Sequence, residues 1–337
     1  MHNDLGTHVL QLQGIQALFE ENPNLAIGME MVPRSSQESL DSYINGTIET
    51  EKEFLKKSNY FGVWGFDYRY YRDIIGYAHR NNIPIVGLNI EKAIVSQVFK
   101  EGNIDGLDEE QIEAIPPERK LDEPGYRQRL STAFSSHKQR GISPEQIGGF
   151  IQAQSIWDET MAESIVNYLD SNPQQRMVVI AGNGHVYKDS AIPSRVARRM
   201  DVQQSVISSI NYETTGLVPG YKIDYLVYTQ SGNLEAAPKI GVVLESENLD
   251  DDPDNSRLRI IKISPHGKAL ESGLKEKDII LTLDDQEVRE ISDIKISLLD
   301  KHSGDTVLIK ILRERMVFND EELELEVELS TPMKFGG

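Results

Sequence analysis

Residues Met177–His185 read MVVIAGNGH, and this stretch predicts the fold. It begins as a run of apolar, mostly β-branched residues, which is typical of a strand buried on both faces of a sheet. The run ends in Gly182-Asn183-Gly184, residue types that tolerate positive φ and let backbone approach a ligand closely. His185 follows at once, at the carboxyl end of the predicted strand, where open α/β sheets bind their ligands. Taken alone, the stretch fits equally well a tight turn with an incidental histidine.

Strand and helix patterns alternate over residues 1–230, which predicts an α/β domain with a mainly parallel sheet flanked by helices. The other predicted strands are Leu25–Met31, Ile83–Ile90, Val206–Ile210 and Tyr225–Tyr228. A long helix is predicted from Pro144 through Leu169, with apolar residues on one stripe. An α/β domain normally opens with a strand, whereas here a helix pattern starts directly after Gly6. We therefore expect the native protein to be longer, with a first strand and an export signal ahead of Met1.

The secondary-structure pattern of the sequence changes after a short linker, Leu234–Pro238. Beyond it, short strand patterns are separated by turns, with two brief helices. This predicts a second, small and mostly β domain, and it divides the chain into residues 1–233 and 234–337.

Composition restricts the function. The chain has 337 residues and a formal charge of −19, so its surface repels phosphate backbones and anionic lipid, and nucleic acid is not expected as a partner. Cysteine is absent, which excludes disulfides, thiolate metal ligands and a thiol nucleophile. No apolar run approaches the roughly eighteen residues of a membrane span.

Three residues are predicted to meet at one edge of the sheet. Glu30 and His185 end predicted parallel strands, and His2 would end the missing first strand. Two histidines and a carboxylate suffice to bind a divalent metal and leave open positions. Each residue alone has a simpler interpretation, because a glutamate at a strand end is more often a cap and an N-terminal histidine is usually solvated. Their joint placement favours a site.

Residues 1–215 resemble the ChaN-like haem-binding uptake family of the Tiki superfamily, which also contains the TraB-like and erythromycin-esterase-like proteins. The resemblance rests on these motifs, in this order: His2-Asn3-Asp4, Gly28-Met29-Glu30-Met31, Gln37 to Gly46, Trp64 to Tyr68, Leu88-Asn89, Trp157-Asp158-Glu159-Thr160-Met161-Ala162, and Gly182-Asn183-Gly184-His185 with Ile192-Pro193. It implies an α/β fold with a His/Glu/His rim. By this likeness His2, Glu30 and His185 occupy the three motif positions and Asp158 the polar position of the long helix.

The resemblance implies haem binding and iron uptake in the bacterial envelope or periplasm, and it leaves a homodimer as an expectation. The family's first motif reads Gly-Glu-x-His after a strand, and here the Gly-Glu and the strand are absent. Haem ligation in the family involves tyrosine. Tyr60, Tyr68 and Tyr187 are the candidates, although the aromatic stretch from Phe54 to Tyr71 is more typical of core and rim packing than of a haem slot.

Some relatives in the superfamily are metal-dependent hydrolases, which gives an alternative function. Zinc, manganese, cobalt or iron on His2, Glu30 and His185 would lower the pKa of a bound water to ~7. Asp158 would then accept a proton. Because a second clear acid is missing, haem or metal binding without catalysis is the preferred prediction.

Residues 238–330 resemble a PDZ domain of the kind found in HtrA-type proteases. The evidence is Lys239-Ile240-Gly241-Val242-Val243, Ile263 to Ala269 with His266, Ser272-Gly273-Leu274, Asp278-Ile279-Ile280 and Gly304-Asp305-Thr306-Val307. The resemblance predicts that C-terminal or internal peptide tails bind along Lys239, Ile240, Gly241 and Val242 by strand addition. We expect a Cβ at Gly241 to crowd the carboxylate loop. The alternative is a PDZ domain that only docks within the protein, and the absence of a Ser/His/Asp module gives no reason to expect proteolysis.

Overall fold

The computed structural model describes residues 2–121, 123, 125–137, 146–211, 222–249, 252–265, 267–315 and 319–331. Pro144 of the predicted long helix and His266 of the predicted PDZ motif lie outside these ranges. The chain divides into two compact units, Met1–Asn233 and Leu234–Gly337, which we call unit 1 and unit 2.

Unit 1 alternates helices with parallel strands. In chain order its elements are α1 (Leu5–Glu21), β1 (Leu25–Pro33), α2 (Gln37–Ile44), α3 (Glu51–Lys57), α4 (Tyr60–Val63), α5 (Arg72–Arg80), β2 (Ile85–Asn89), α6 (Lys92–Glu101), α7 (Glu109–Ala114), α8 (Tyr126–His137), α9 (Ile147–Ser171), β3 (Arg176–Ile180), α10 (Ile192–Arg199), β4 (Ile207–Asn211) and β5 (Tyr225–Thr229). Helices beside a parallel sheet confirm the predicted α/β class.

β1 is the central strand of the main sheet. It pairs in parallel with β2 on one side and β3 on the other, so that Gly28 lies opposite both Val86 and Val179. All nine residues of β1 are buried. The prediction that Met177–Ala181 is buried on both faces is wrong, because β3 pairs with β1 alone among the described strands and is half-buried up to Val179. β4 and β5 form a separate two-stranded parallel sheet.

The long helix α9 holds the α/β layers together. Its apolar face packs on β2 and α10 through Leu88, Met161, Ile165 and Val196, all of them buried. Closer to its amino end, Ile156 packs against Val98 of α6. A helix with apolar residues on both sides must lie between layers rather than on the surface.

α9 also carries a fully buried carboxylate. The side chain of Glu159 has no exposed area, and it forms ion pairs with Arg195 at 3.1 Å, Arg198 at 2.6 Å and Arg199 at 2.7 Å. It also accepts a hydrogen bond from the backbone N–H of Lys120 at 2.9 Å. A buried charge is tolerated only when it is paired. Glu159 thereby fixes α10 and the segment before α8 onto α9.

Unit 2 is an antiparallel, mostly β domain, as predicted. Its elements are β6 (Val242–Leu249), β7 (Asp252–Ile263), β8 (Ile279–Leu283), β9 (Gln286–Glu287), α11 (Ile291–Ser297), β10 (Thr306–Arg313) and β11 (Glu321–Glu328). The strand order is β11-β10-β8-β7-β6, and β9 pairs with β8. Alternate residues of β10 (Val307, Ile309 and Ile311) point into the core beside Leu258 and Ile260.

In the described parts of the chain, no helix combines the length and the apolar composition that crossing a membrane requires.

The buried cluster around Glu159 generates a stability prediction. Replacing Glu159 with Gln removes the charge that three arginines share, and it should lower the free energy of unfolding by about 3 kcal/mol. Glu163→Gln is the matched control, since Glu163 lies one turn further along α9 and pairs with Arg34 at a partly exposed position. It should cost at most about 1 kcal/mol. Urea unfolding followed by tryptophan fluorescence measures both, because Trp64 and Trp157 both lie in unit 1. Equal losses would contradict the role given to Glu159.

Candidate functional site

The structure brings His2, Glu30, Asp158 and His185 together near the carboxyl ends of β1 and β3. His2 Nε2 lies 3.7 Å and His185 Nε2 lies 3.6 Å from Glu30 Oε1. His185 Nδ1 is hydrogen-bonded to Asp158 Oδ1 at 2.6 Å. The four side chains therefore form a continuous row of polar groups, in the order His2, Glu30, His185 and Asp158.

Glu30 lies between the two histidines of this row because it belongs to β1, the central strand of the sheet. Its Oε2 accepts a hydrogen bond from the backbone N–H of Gly182 at 2.6 Å. Asn89 at the end of β2 donates to the backbone carbonyl of Glu30 at 3.0 Å. A Cβ at Gly182 would lie 2.6 Å from His2 Nε2, so any larger residue there would displace the histidine. Glycine is required at this position by close approach and not by its φ of −64°.

His185 lies on the one-turn helix Asn183–His185 that follows β3, and it is buried. Burial by itself lowers the pKa of the imidazole, but the carboxylates of Glu30 and Asp158 together raise that pKa to about 9. At neutral pH the ring is therefore an imidazolium, and its Nδ1–H donates to Asp158.

His2 has the opposite protonation state. Burial lowers its pKa, and His185 opposes the raising effect of Glu30. A neutral imidazole keeps one nitrogen lone pair, and its Nδ1 is 2.9 Å from the hydroxyl of Tyr71. One carboxylate thus lies between a charged and a neutral imidazole.

An aromatic cluster covers the outer side of His2. The ring of His2 lies 5.2 Å from Trp64 and 4.8 Å from Phe66, centroid to centroid, and the two aromatic rings are 5.6 Å apart. Phe66 is 40% exposed, which is unusual for a phenylalanine. We call His2, Trp64 and Phe66 the aromatic rim.

Two further residues of the site lie on α8 and were not identified from the sequence. The hydroxyl of Tyr126 donates to Asp158 Oδ2 at 3.0 Å. Arg129 donates to the backbone carbonyl of Gly184 at 2.8 Å, and its guanidinium lies 4.2 Å from the centroid of the Tyr187 ring. The sequence pointed to them only indirectly: Asp158 is predicted on the long helix, and a buried carboxylate needs a hydrogen-bond donor.

The structure separates the three candidate tyrosines. Tyr60 and Tyr68 belong to the core, with 1% and 0% of their area exposed, and the Tyr68 hydroxyl donates to Glu51. Neither phenol is open to a ligand in this conformation. Tyr187 is half-buried, two residues after His185 and beside Arg129. Of the three, only Tyr187 borders the site.

The divalent-metal prediction receives no support. In the described ranges, no group of three or more histidine, aspartate and glutamate side chains has the arrangement of a metal site. The physical reason is that several donor atoms are already engaged. The N–H of Gly182 donates to Glu30 Oε2, and both Nε2 atoms face the other oxygen of Glu30.

In unit 2, the predicted peptide-binding residues surround the start of an edge strand. β6 pairs with β7 only, among the described strands, so its other edge is open. Gly241 has φ +92°. The expected crowding is not present, because a Cβ there would meet Ala269 and Gly267 at 3.6 Å, an ordinary contact distance. The requirement for glycine comes from the positive φ instead. Ile240 is part of the core and Lys239 pairs with Ser330 through its backbone, while Val242 is half-buried.

The fold and the site define an α/β domain with a polar and aromatic rim, followed by a small β domain. Residues 1–196 match the family described as "Haem-binding uptake, Tiki superfamily, ChaN". The chain belongs to this family. Residues 238–329 match the PDZ domain. The comparison with curated protein sequences gives no significant match.

Among solved structures, the chain is similar to one described as "Cofacial heme binding to ChaN of Campylobacter jejuni". The two are 17% identical with a TM-score of 0.54, and the match covers 68% of this chain and 85% of that chain. At this identity the likeness concerns the fold. A structure described as "HtrA-type protease AlgW with decapeptide" matches 29% of this chain and 30% of that chain at 19% identity, with a TM-score of 0.24, too low to define a shared fold.

The raised pKa of His185 predicts a pH-dependent stability. The folded state holds the proton with a pKa of about 9, whereas an unfolded histidine has a pKa of about 6.5. The contribution, on the order of 3 kcal/mol, is complete below about pH 6.5 and is lost as the pH rises through about 9. Urea unfolding between pH 6 and pH 10, in the presence of a chelator, should show this decline. His185→Gln should flatten it, and an unchanged pH dependence in that variant would contradict the assignment.

Proposed function

We propose that unit 1 binds haem at the aromatic rim, and that unit 2 captures peptide tails in the same chain. The observation that carries the haem proposal is the combination of a half-exposed aromatic cluster with a neutral imidazole at the carboxyl edge of the sheet. Membership of a haem-binding uptake family supports it.

The residues of the rim fit a porphyrin chemically. A porphyrin is flat and apolar, and Phe66 and Trp64 offer ring surface of that kind. Its iron takes an axial nitrogen or oxygen ligand, commonly histidine or tyrosine. In the tautomer in which His2 Nδ1–H donates to Tyr71, Nε2 carries the lone pair, and the ring would have to turn this nitrogen away from Glu30 Oε1, 3.7 Å away, to bind the iron. His2 is therefore the first candidate ligand and Tyr187 the second, while the buried imidazolium of His185 is less suited.

A haem titration tests this proposal. The apoprotein should give a saturable Soret shift, and Phe66→Ala should weaken binding roughly ten- to hundredfold, because it removes about 1.5–3 kcal/mol of apolar contact. Phe19→Ala is the matched control, since Phe19 packs on Tyr77, away from the rim, and should leave the affinity unchanged. His2→Ala should alter the Soret position, and Tyr187→Phe should do so only if its phenol is the ligand. A Soret shift that Phe66→Ala and Phe19→Ala change equally would place haem elsewhere.

Metal-dependent hydrolysis is the second candidate. One observation favours it: Asp158 orients His185 through Nδ1, which is how a carboxylate orients a metal-ligating histidine in many metalloenzymes. The test is hydrolysis of peptide or ester substrates before and after chelation. Chelator-sensitive activity that is absent in Glu30→Gln would support it, and the lack of any such activity would leave haem binding alone.

For unit 2 we infer that a peptide tail adds to the open edge of β6. Backbone groups along Val242 to Leu244 are available there for strand addition, and Gly241 turns the preceding backbone. Val242 offers only a modest side chain at the start of the strand. A tail that ends in a small aliphatic residue is therefore the expected ligand.

Substitution of Gly241 tests the peptide site. Gly241→Val should abolish binding of a labelled peptide with an aliphatic C-terminus, because valine strongly disfavours φ +92° and the loop must change shape. Gly304→Val is the matched control. It imposes the same backbone strain at φ +93°, in a loop before β10 with open space around it, and should leave peptide affinity unchanged. Fluorescence anisotropy measures both. Haem binding by unit 1 should persist in Gly241→Val.

We further propose a role in iron uptake in the cell envelope, with a homodimer as the expected form. The description of the family as haem-binding uptake supports the first part. Cell fractionation tests the location. Light scattering with and without haem tests the oligomeric state.

A further inference from the structure

Asp158 is a buried carboxylate with both oxygens engaged. Only 1% of the residue is exposed. Oδ1 accepts from His185 Nδ1 at 2.6 Å, and Oδ2 accepts from the hydroxyl of Tyr126 at 3.0 Å. The next group to Oδ2 is Arg195 Nη1, at 3.9 Å, beyond hydrogen-bonding distance. The rotation of this carboxylate is therefore set by His185 on one side and Tyr126 on the other.

Tyr126 is held in place by the groups around its ring. The ring is fully buried and contacts two guanidinium groups, with Arg195 at 4.6 Å and Arg129 at 5.2 Å from its centroid. Both arginines are fixed in turn, because Arg195 donates to the backbone carbonyl of Ser190 at 3.0 Å and Arg129 to that of Gly184 at 2.8 Å. The hydroxyl of a ring so confined points at Asp158.

We propose that Tyr126 is a positioning residue of the site: its hydroxyl fixes the carboxylate of Asp158, and the carboxylate fixes the imidazole of His185. The consequence is that His185 Nε2 points towards Glu30, 3.6 Å away. Tyr126 thereby sets, through Asp158, where the imidazole of His185 lies relative to Glu30. This inference concerns the arrangement of the site and is independent of whether haem is the ligand.

Removing the hydroxyl should loosen this arrangement without removing the ring. In Tyr126→Phe, Oδ2 would keep only the ion pair with Arg195, so the carboxylate would turn towards the guanidinium. The bond from Oδ1 to His185 would then lengthen. The ring contacts with Arg129 and Arg195 would remain, because phenylalanine has the same ring at the same position.

Proton NMR of the chelator-treated full chain tests this directly. A short bond from a buried imidazolium to a carboxylate gives a low-field Nδ1–H resonance, which is assigned by its loss in His185→Gln. We expect Tyr126→Phe to shift this resonance upfield or to broaden it beyond detection. Tyr168→Phe is the matched control, because Tyr168 is a residue of α9 and its hydroxyl donates to Gln175, away from the site. It should leave the resonance in place.

Two further measurements separate positioning from a general loss of structure. In an Asp158→Asn background, where the low-field resonance is lost, Tyr126→Phe should cause no additional change in the carbon-bound ring proton signals of His185, since the carboxylate that transmits the effect is already gone. Site-specific 3-fluorotyrosine at position 126 makes the hydroxyl a stronger donor while keeping the hydroxyl in place, and it should move the resonance in a folded protein. An unmoved resonance in both Tyr126→Phe and the fluorotyrosine protein would overturn the proposal. A failed haem titration would leave this test unaffected.

Discussion

The hydrogen bond between Asp158 and His185 joins the longest helix of unit 1 to the loop that follows β3. Both partners are buried, and the nearby carboxylates raise the pKa of His185 to about 9, so the loss of Asp158 would leave an imidazolium without its hydrogen-bond acceptor in the interior. The position of His185 thus depends on how α9 packs, and α9 packs on β2, α6 and α10 through its apolar residues. The geometry of the site is therefore a consequence of the core.

Two neighbouring carboxylates on α9 have separate tasks. Asp158 faces the site, where it binds His185 and Tyr126. Glu159 faces α10, where it pairs with Arg195 and its neighbours. Arg195 connects the two, since it lies 3.1 Å from Glu159 and 3.9 Å from Asp158. Adjacent helix residues point about 100° apart, which allows one short stretch to serve both the fold and the site.

Two imidazoles in different protonation states lie beside Glu30. His185 is buried between Glu30 and Asp158, and the two negative charges outweigh the effect of its burial. His2 has only Glu30 as a counter-charge, and its burial prevails. The neutral imidazole is the one in the aromatic rim, where an iron ligand would need a lone pair. The charged imidazole stays in the interior, where it neutralises part of the carboxylate cluster.

Sequence alone was sufficient for features that local pattern encodes. The alternation of strands and helices predicted the α/β class, and the resemblance of residues 238–330 predicted the PDZ domain. Strand ends predicted that Glu30 and His185 meet, because parallel strands end at a common edge. Only the tertiary structure decided which strand is central, because an apolar run does not show how many strands will pair with it. It also decided that Tyr60 and Tyr68 are core residues and that Tyr126 and Arg129 belong to the site. These contacts join residues more than thirty positions apart, and the packing of α8 and α9 brings them together, which no local pattern records.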